Sequence, residues 1–431
     1  MARSLHAVPQ AESDLEARML ALGRAAAAEK AALATASRQD KDKVLRAAAV
    51  NLRAGTDALM RANAKDVSAA KTKGHNAARL DRMALDAARI RAMADALEAI
   101  AELEDPVGAT IGAWARPNGL QVQRVRVPLG VIGIIYESRP NVTAEAAALC
   151  FKSGNAVILR PSSEIQHSAR HILDALTQAL TAHGFAAAAA QLVPSAARAA
   201  VGHMLAGLGG QLDVLVPRGG RSLVARVQKE ARVPVFGHLE GVCHTYIHRD
   251  ANRAMACAIV RNAKLRRPGI CGATESVLVD KAIAATHVPP IVEALAAEDC
   301  IIWGDAASRQ LDARVRVGTP AHWAREYLAK EVSLIQVDGL DAAIAHIAKY
   351  GSAHTDAIVT DNKAAAEKFL AQTDSAIVMH NCSTQFADGG ELGMGAEVGI
   401  ATGRFHARGP VGLEQLTTMK YRIRGSGQTR P

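Results

Sequence analysis

Gly130-Val131-Ile132-Gly133-Ile134-Ile135-Tyr136 runs directly into Glu137-Ser138-Arg139-Pro140-Asn141-Val142-Thr143. The first seven residues form a short, continuous apolar run, the pattern of a strand buried on both faces. A proline-bearing turn follows, then a helical stretch over residues 143–152. Working outward, the cadence repeats: a strand at 156–159, a helix at 165–182, a strand near 191–193, a helix at 196–205 and a strand at 214–216. This alternation predicts a parallel α/β sheet, doubly wound. A second α/β series runs from about residue 253 through 276–279, 291–297, 334–337, 342–349 and 357–359.

Upstream, residues 11–104 read as helices. Ala, Leu, Arg and Glu dominate there, and Asp81 and Asp86 mark plausible helix starts. Residues 113–128 alternate around Pro117-Asn118-Gly119 and predict a hairpin. The predicted division is 1–250 (with the hairpin 112–128 inserted), 251–398, and an appended tail over 399–431. Hairpin and tail both suit a subunit contact, so a homo-oligomer is expected. At 431 residues and 49% apolar content the chain can fill two or three cores, which excludes wholesale disorder. It has no run of about 18 apolar residues, and Glu12, Asp14 and Glu16 interrupt the opening segment. The expectation is a soluble, cytoplasmic protein.

The net charge is +9, and the tail holds Arg404, Arg408, Lys420, Arg422, Arg424 and Arg430 against Glu414 alone. A solvated tail or a small polyanionic substrate explains this better than nucleic acid, because no aromatic side chains are interleaved for base stacking. Six cysteines stand at 150, 243, 257, 271, 300 and 382 without a CxxC pair. The 14-residue spacing of Cys243, Cys257 and Cys271 lacks the short chelate loop of structural zinc. Neither that set nor His346 with His354 is expected to bind metal.

In open α/β sheets ligands bind beyond the carboxyl ends of strands. At Leu159-Arg160-Pro161-Ser162-Ser163, Arg160 and Ser162 suit a 2′-phosphate, which favours NADP over NAD; Ser162 or Ser163 as a helix cap explains the serines equally well. At Val216-Pro217-Arg218-Gly219-Gly220-Arg221, the glycines let backbone approach a phosphate beside Arg218, although Arg-Gly-Gly is more often a turn. Cys271 lies in Arg266-Arg267-Pro268-Gly269-Ile270-Cys271-Gly272. It is either a nucleophile whose thiol cationic neighbours acidify or a buried structural thiol. Asn141 can donate to an oxyanion or cap the helix that follows. Asp388 to Gly399 is glycine-rich and reads as a close-fitting loop or a linker.

In this order, Asn141 after a strand, the Arg160 junction, the Arg218 loop, Cys271, Glu326 and a basic tail resemble the aldehyde dehydrogenase superfamily. The stretches 136–142, 216–220, 337–358 and 406–413 are similar to the signatures of one of its branches, the gamma-glutamyl phosphate reductases. The resemblance covers residues 10 to 425. It implies an α/β fold of two doubly wound domains, the first for NADPH, the second for a catalytic thiol, with hairpin and tail for oligomerisation. It implies NADPH-dependent reduction of glutamate 5-phosphate to the semialdehyde through a Cys271 thioester, the second step of proline biosynthesis. Asn141 and the Cys271 backbone N–H would hold the oxyanion. Glu326 would hold the nicotinamide ribose, with a surface helix carboxylate as the alternative. Arg139, Arg404 and Arg408 would take the substrate's phosphate and carboxylate, with structural ion pairs as the rival. Contact with the glutamate 5-kinase that makes this substrate is implied as a partner interaction.

Where hydrolytic relatives carry Glu-Leu-Gly-Gly, this chain reads His238-Leu239-Glu240-Gly241-Val242. No Leu-Gly-Gly follows Glu240. Release of an aldehyde needs no water-activating base, so the departure favours reduction over an ordinary aldehyde dehydrogenase forming a free acid. A non-enzymatic binding protein using the basic tail is the third reading.

Overall fold

The computed structural model describes residues 10–430. The chain divides into two compact units. One comprises residues 10–237, 394–399 and 411–430; the other comprises His238–Gly393 with Ile400–Pro410. The boundary expected at 250 therefore falls at 237, before the strand Cys243–Ile247. The tail expected from 399 is shared between the two units.

In the first unit, helices over residues 10–102 lead into β1 (Thr110–Ala115) and β2 (Gln121–Pro128). Asp86, not Asp81, starts the last of these helices, Ala87–Glu102, by accepting the Arg89 N–H. Asp81 lies inside the helix Ala77–Met83. The parallel sheet follows: β3 (Val131–Tyr136), β4 (Ala156–Pro161), β5 (Ala190–Leu192) and β6 (Val214–Arg218), in the order β5-β4-β3-β6. Every residue of β3 is buried, as a strand covered on both faces requires. The chain steps outward from β3 to β5 and then returns to β6 on the other side. The crevice between the carboxyl ends of β3 and β6 is thus the topological switch point. The helical layer is pinned by buried lysines: Lys41 Nζ meets Asp105 Oδ2 at 2.6 Å, and Lys152 bonds Asp42 and the Ala101 carbonyl.

The second unit holds a seven-stranded parallel sheet. Its strands are β7 (Cys243–Ile247), β8 (Thr274–Asp280), β9 (Ile301–Gly304), β10 (Arg316–Val317), β11 (Glu331–Val337), β12 (Thr355–Val359) and β13 (Ile377–His380), in the order β10-β9-β11-β8-β7-β12-β13. The segment 291–297 belongs to a helix that starts earlier, Ala284–Ala296, and runs through Pro289 and Pro290. The fold class matches the expectation of α/β with doubly wound parallel sheets.

The tail is not free. After a short ribbon of β14 (Ile400–Ala401) and β15 (Gly409–Pro410), its last strand, β16 (Thr417–Arg424), pairs antiparallel with β2. Hairpin and tail therefore make one three-stranded sheet within the first unit. Trp114, Met419, Tyr421 and Ile423 are exposed on it. No helix among the described residues is long and apolar enough to cross a membrane.

Candidate active site

The first unit gathers its expected residues at the ends of β3, β4 and β6. Asn141 does not cap its helix: Pro140 stands at the cap position, and Asn141 is the first helical residue. Its Nδ2 donates to Glu145 Oε1 at 3.1 Å. Burial raises the Glu145 carboxyl, opposed by that hydrogen bond and by the charges of Arg218 and Arg139. Arg139, Asn141 and Arg218 thus surround one half-buried acid that the sequence reading passed over. The spacing of four between Asn141 and Glu145 was the available signal, since such pairs share a helix face.

The loop before Asn141 is constrained. Ser138 has φ of 24°, a conformation rare outside glycine, and its hydroxyl bonds Glu164. Glu164 is also held by Arg79 at 2.8 Å, with His75 Nε2 2.9 Å away. Residues forced into such backbone regions persist only where their surroundings fix them.

At the β6 junction the sequence reading needs amendment. Gly220 N–H donates to Glu137 Oε2 at 2.9 Å, and a Cβ on Gly219 would lie 2.7 Å from the Glu137 side chain. A carboxylate of the chain itself therefore holds the amide expected to meet a phosphate, at the N-terminus of helix Arg221–Glu230. Arg160 sends its Nη atoms to the carbonyls of Pro161 and Ala196 at 3.1 and 3.0 Å, while its Nε is buried without a hydrogen-bond partner. Ser162 accepts weakly from Ser138 N and Glu164 N and caps no helix; the next one begins at Gln166 behind Ile165. Two guanidiniums, a hydroxyl and two glycines at this edge match the donor chemistry an anionic dinucleotide needs, with the Gly220 amide engaged by Glu137.

In the second unit Cys271 sits between helix Arg253–Leu265 and β8, half-buried, in a turn closed by Ala273 N–H to the Ile270 carbonyl at 3.0 Å. Gln385 clamps that loop by donating to the carbonyls of Ala263 (2.9 Å) and Arg267 (3.4 Å) and accepting from Arg266. Cys243 Sγ donates to the Cys271 carbonyl at 3.0 Å. Burial pushes up all five other thiols: Cys150, Cys243, Cys257, Cys300 (to about 12) and Cys382. Those five are poor nucleophiles.

Glu326 lies in a loop rather than on a surface helix, and its Oε1 accepts the Gly241 N–H at 2.9 Å. Burial raises its carboxyl; the Gly241 bond and nearby His238 oppose the rise. Beneath the loop Lys264 bonds Glu275, both wholly buried. Arg404 and Arg408 both meet Asp374, Arg408 at 2.8 Å, so each is ion-paired within the chain. One carboxylate faces two guanidiniums, which leaves a net positive charge. Arg408 holds the Asp374 carboxyl below its usual range.

His354 is buried and close to Cys271 and His238, whereas His346 packs on Tyr350 and is pushed down to about 4, first by burial. Cys257 packs into a separate aliphatic core, so the three evenly spaced cysteines do not converge. The glycine-rich loop is folded: Gly390 N–H bonds Asp388 Oδ1 and Leu392 N–H the Asp388 carbonyl. From Met394 it belongs to the first unit, where Val398 pairs with Val411.

Residues 5–313 match the model of the aldehyde dehydrogenase family. The chain is 59% identical over 418 residues to a gamma-glutamyl phosphate reductase of Parvibaculum lavamentivorans, covering 97% of this chain and 99% of that one. The chain belongs to the aldehyde dehydrogenase family, in its gamma-glutamyl phosphate reductase branch. A second member of the branch, from Methylorubrum populi, is 57% identical with 97% of each chain covered. The crystal structure of the Thermotoga maritima gamma-glutamyl phosphate reductase superposes with a TM-score of 0.94 at 38% identity, covering 96% of this chain and all of that one.

Proposed function

We propose that this chain reduces L-glutamate 5-phosphate to L-glutamate 5-semialdehyde with NADPH, as a cytoplasmic oxidoreductase of proline biosynthesis. The observation that carries this reading is the near full-length identity to relatives of that name.

The Cys271 thiolate attacks the acyl carbon of the mixed anhydride. The carbon–oxygen bond to phosphate breaks, phosphate leaves with the electron pair, and a thioester remains on Cys271. Arg160, Ser162, Arg218, Gly219 and Gly220, with Glu326 at the ribose, would hold NADPH, and the cofactor would supply the hydride. Breaking the carbon–sulfur bond then frees the semialdehyde and restores the Cys271 thiolate. The residues of the chain act on the oxyanion. Asn141 and the Cys271 backbone N–H donate to it, and each such donor is worth on the order of 3 kcal/mol. Arg139 and the surplus charge of Arg404 and Arg408 take the phosphate and α-carboxylate of the substrate, as guanidiniums grip such oxyanions in bidentate fashion. The exposed apolar side chains of the hairpin–tail sheet are the proposed contact between subunits.

The sequence after Glu240 supports the reductive direction: Gly241-Val242-Cys243 stands where hydrolytic relatives carry Leu-Gly-Gly after their water-activating acid. The test is phosphate dependence in reverse. With glutamate 5-semialdehyde, NADP reduction should continue beyond one equivalent of enzyme only when inorganic phosphate is present. Reduction without phosphate, yielding free glutamate, would identify an ordinary aldehyde dehydrogenase instead.

A further inference from the structure

The turn that presents Cys271 meets two histidines that lie far from it and from each other in sequence. One donor atom from each of Cys271, His238 and His354 falls within 4.8 Å of the other two. No chelate spacing in the chain announces this set.

Each imidazole has its Nδ1 engaged by a neighbour. His238 Nδ1 lies 2.7 Å from the Ile400 carbonyl oxygen. A carbonyl only accepts, so Nδ1 carries the proton and Nε2 is the nitrogen that would ligate. A metal-bound histidine characteristically donates its second nitrogen in this way. His354 is fully buried, with Nδ1 2.9 Å from Thr355 Oγ1 and 3.6 Å from Cys243 Sγ. Its Nε2 is buried without a hydrogen-bond partner, which is costly unless something binds there. The two rings meet edge to face with centroids 4.6 Å apart. The Glu326 carboxylate adds negative charge near His238.

We propose that Cys271, His238 and His354 form a zinc site. One thiolate and two imidazoles suit Zn²⁺, whereas Mg²⁺ and Ca²⁺ demand oxygen donors. Three protein ligands leave a fourth tetrahedral position for water. On binding, the Cys271 thiol gives its proton to solvent, a sulfur–zinc bond forms and water leaves the ion. Zinc held there occupies the sulfur and blocks its attack on substrate, so the ion is a reversible inhibitor. That consequence rests on the nucleophilic role proposed above; the binding does not.

The test uses Co²⁺ as a spectroscopic stand-in on the full-length protein, with a non-thiol reductant. One equivalent should produce a thiolate-to-cobalt charge-transfer band that Zn²⁺ displaces. The band should vanish in Cys271→Ser, and His238→Gln and His354→Gln should each weaken binding at least about tenfold. His238 is half-buried, so its variant keeps the test valid should the His354 variant misfold. A band surviving in Cys271→Ser, or equal affinity in wild type and the folded histidine variants, would overturn the site. Displaceable binding without loss of turnover would uphold the site and remove the nucleophilic role instead.

Discussion

Gly241 presses against the backbone of Cys271. A Cβ built on Gly241 would lie 2.2 Å from the Cys271 carbonyl oxygen and 2.9 Å from its Cα. No side chain of any size fits there unless the loop carrying the thiol moves. A displacement of about 1 Å at a reacting group costs on the order of 100-fold in rate. Gly241→Ala should therefore lower kcat/KM by about that factor while the far-ultraviolet circular dichroism stays unchanged. Activity near wild type in that variant would separate the loop from the chemistry.

Asn141 and Glu145 provide a second test. If Asn141 donates to the oxyanion, Asn141→Ala should lower kcat by about 100-fold or more with little change in substrate KM. Glu145→Gln keeps an acceptor for the Asn141 amide and should cost much less. Comparable losses in the two variants would mark Asn141 as a support for Glu145 rather than a donor to substrate.

Lys264 and Glu275 are wholly buried and bonded to each other below the Cys271 loop. Burial pushes the Glu275 carboxyl up to about 7, against the pull of Lys264. Removing one partner leaves the other without compensation, at about 3–5 kcal/mol. Glu275→Leu and Lys264→Met should each lower the urea midpoint by a corresponding amount. The double variant should recover much of the loss, as a double-mutant cycle would read.

The stability of the second unit should fall in mild acid through His346. Burial, with His244 and Lys349 nearby, pushes its imidazole down to about 4. Its unfolded value is about 6.5. The folded value is the lower one, so the contribution is fully present above about pH 6.5 and is lost as pH falls through about 4, on the order of 3 kcal/mol in all. His346→Gln should flatten the dependence of the urea midpoint between pH 6.5 and 4. An unaltered slope would exclude His346 as its source.

How much of this was legible in the sequence varied with the physics involved. The strand at 131–136 and its successors were readable because strands covered on both faces are continuous apolar runs. Strand β7 was not, because Cys243-His244-Thr245-Tyr246-Ile247 buries polar groups that only tertiary partners satisfy. His244 bonds Asp356 at 2.9 Å and Thr245 bonds Thr274 at 2.7 Å. The helix 284–296 was shortened in the reading by its two prolines. Strand β16 alternates Met419, Tyr421 and Ile423 with basic residues, a period-2 pattern, but its pairing with β2 spans nearly 300 residues of sequence. Within the candidate site, Cys271 stood out through its Pro and Gly frame. His238 and His354 did not, because their relation to the thiol exists only once three separate segments have folded together. For Arg404 and Arg408, residue type suggested an anion, but their shared partner Asp374 was not legible, because it lies some 30 residues upstream.

The central claim is an acyl group carried on one sulfur. Acid-quenched mass spectrometry after mixing the protein with glutamate 5-semialdehyde and NADP, without phosphate, tests it most directly. The account predicts a glutamyl adduct that maps to the peptide containing Cys271 and disappears when phosphate is added. NADP reduction with no adduct on that peptide, or undiminished turnover in Cys271→Ala, would contradict it.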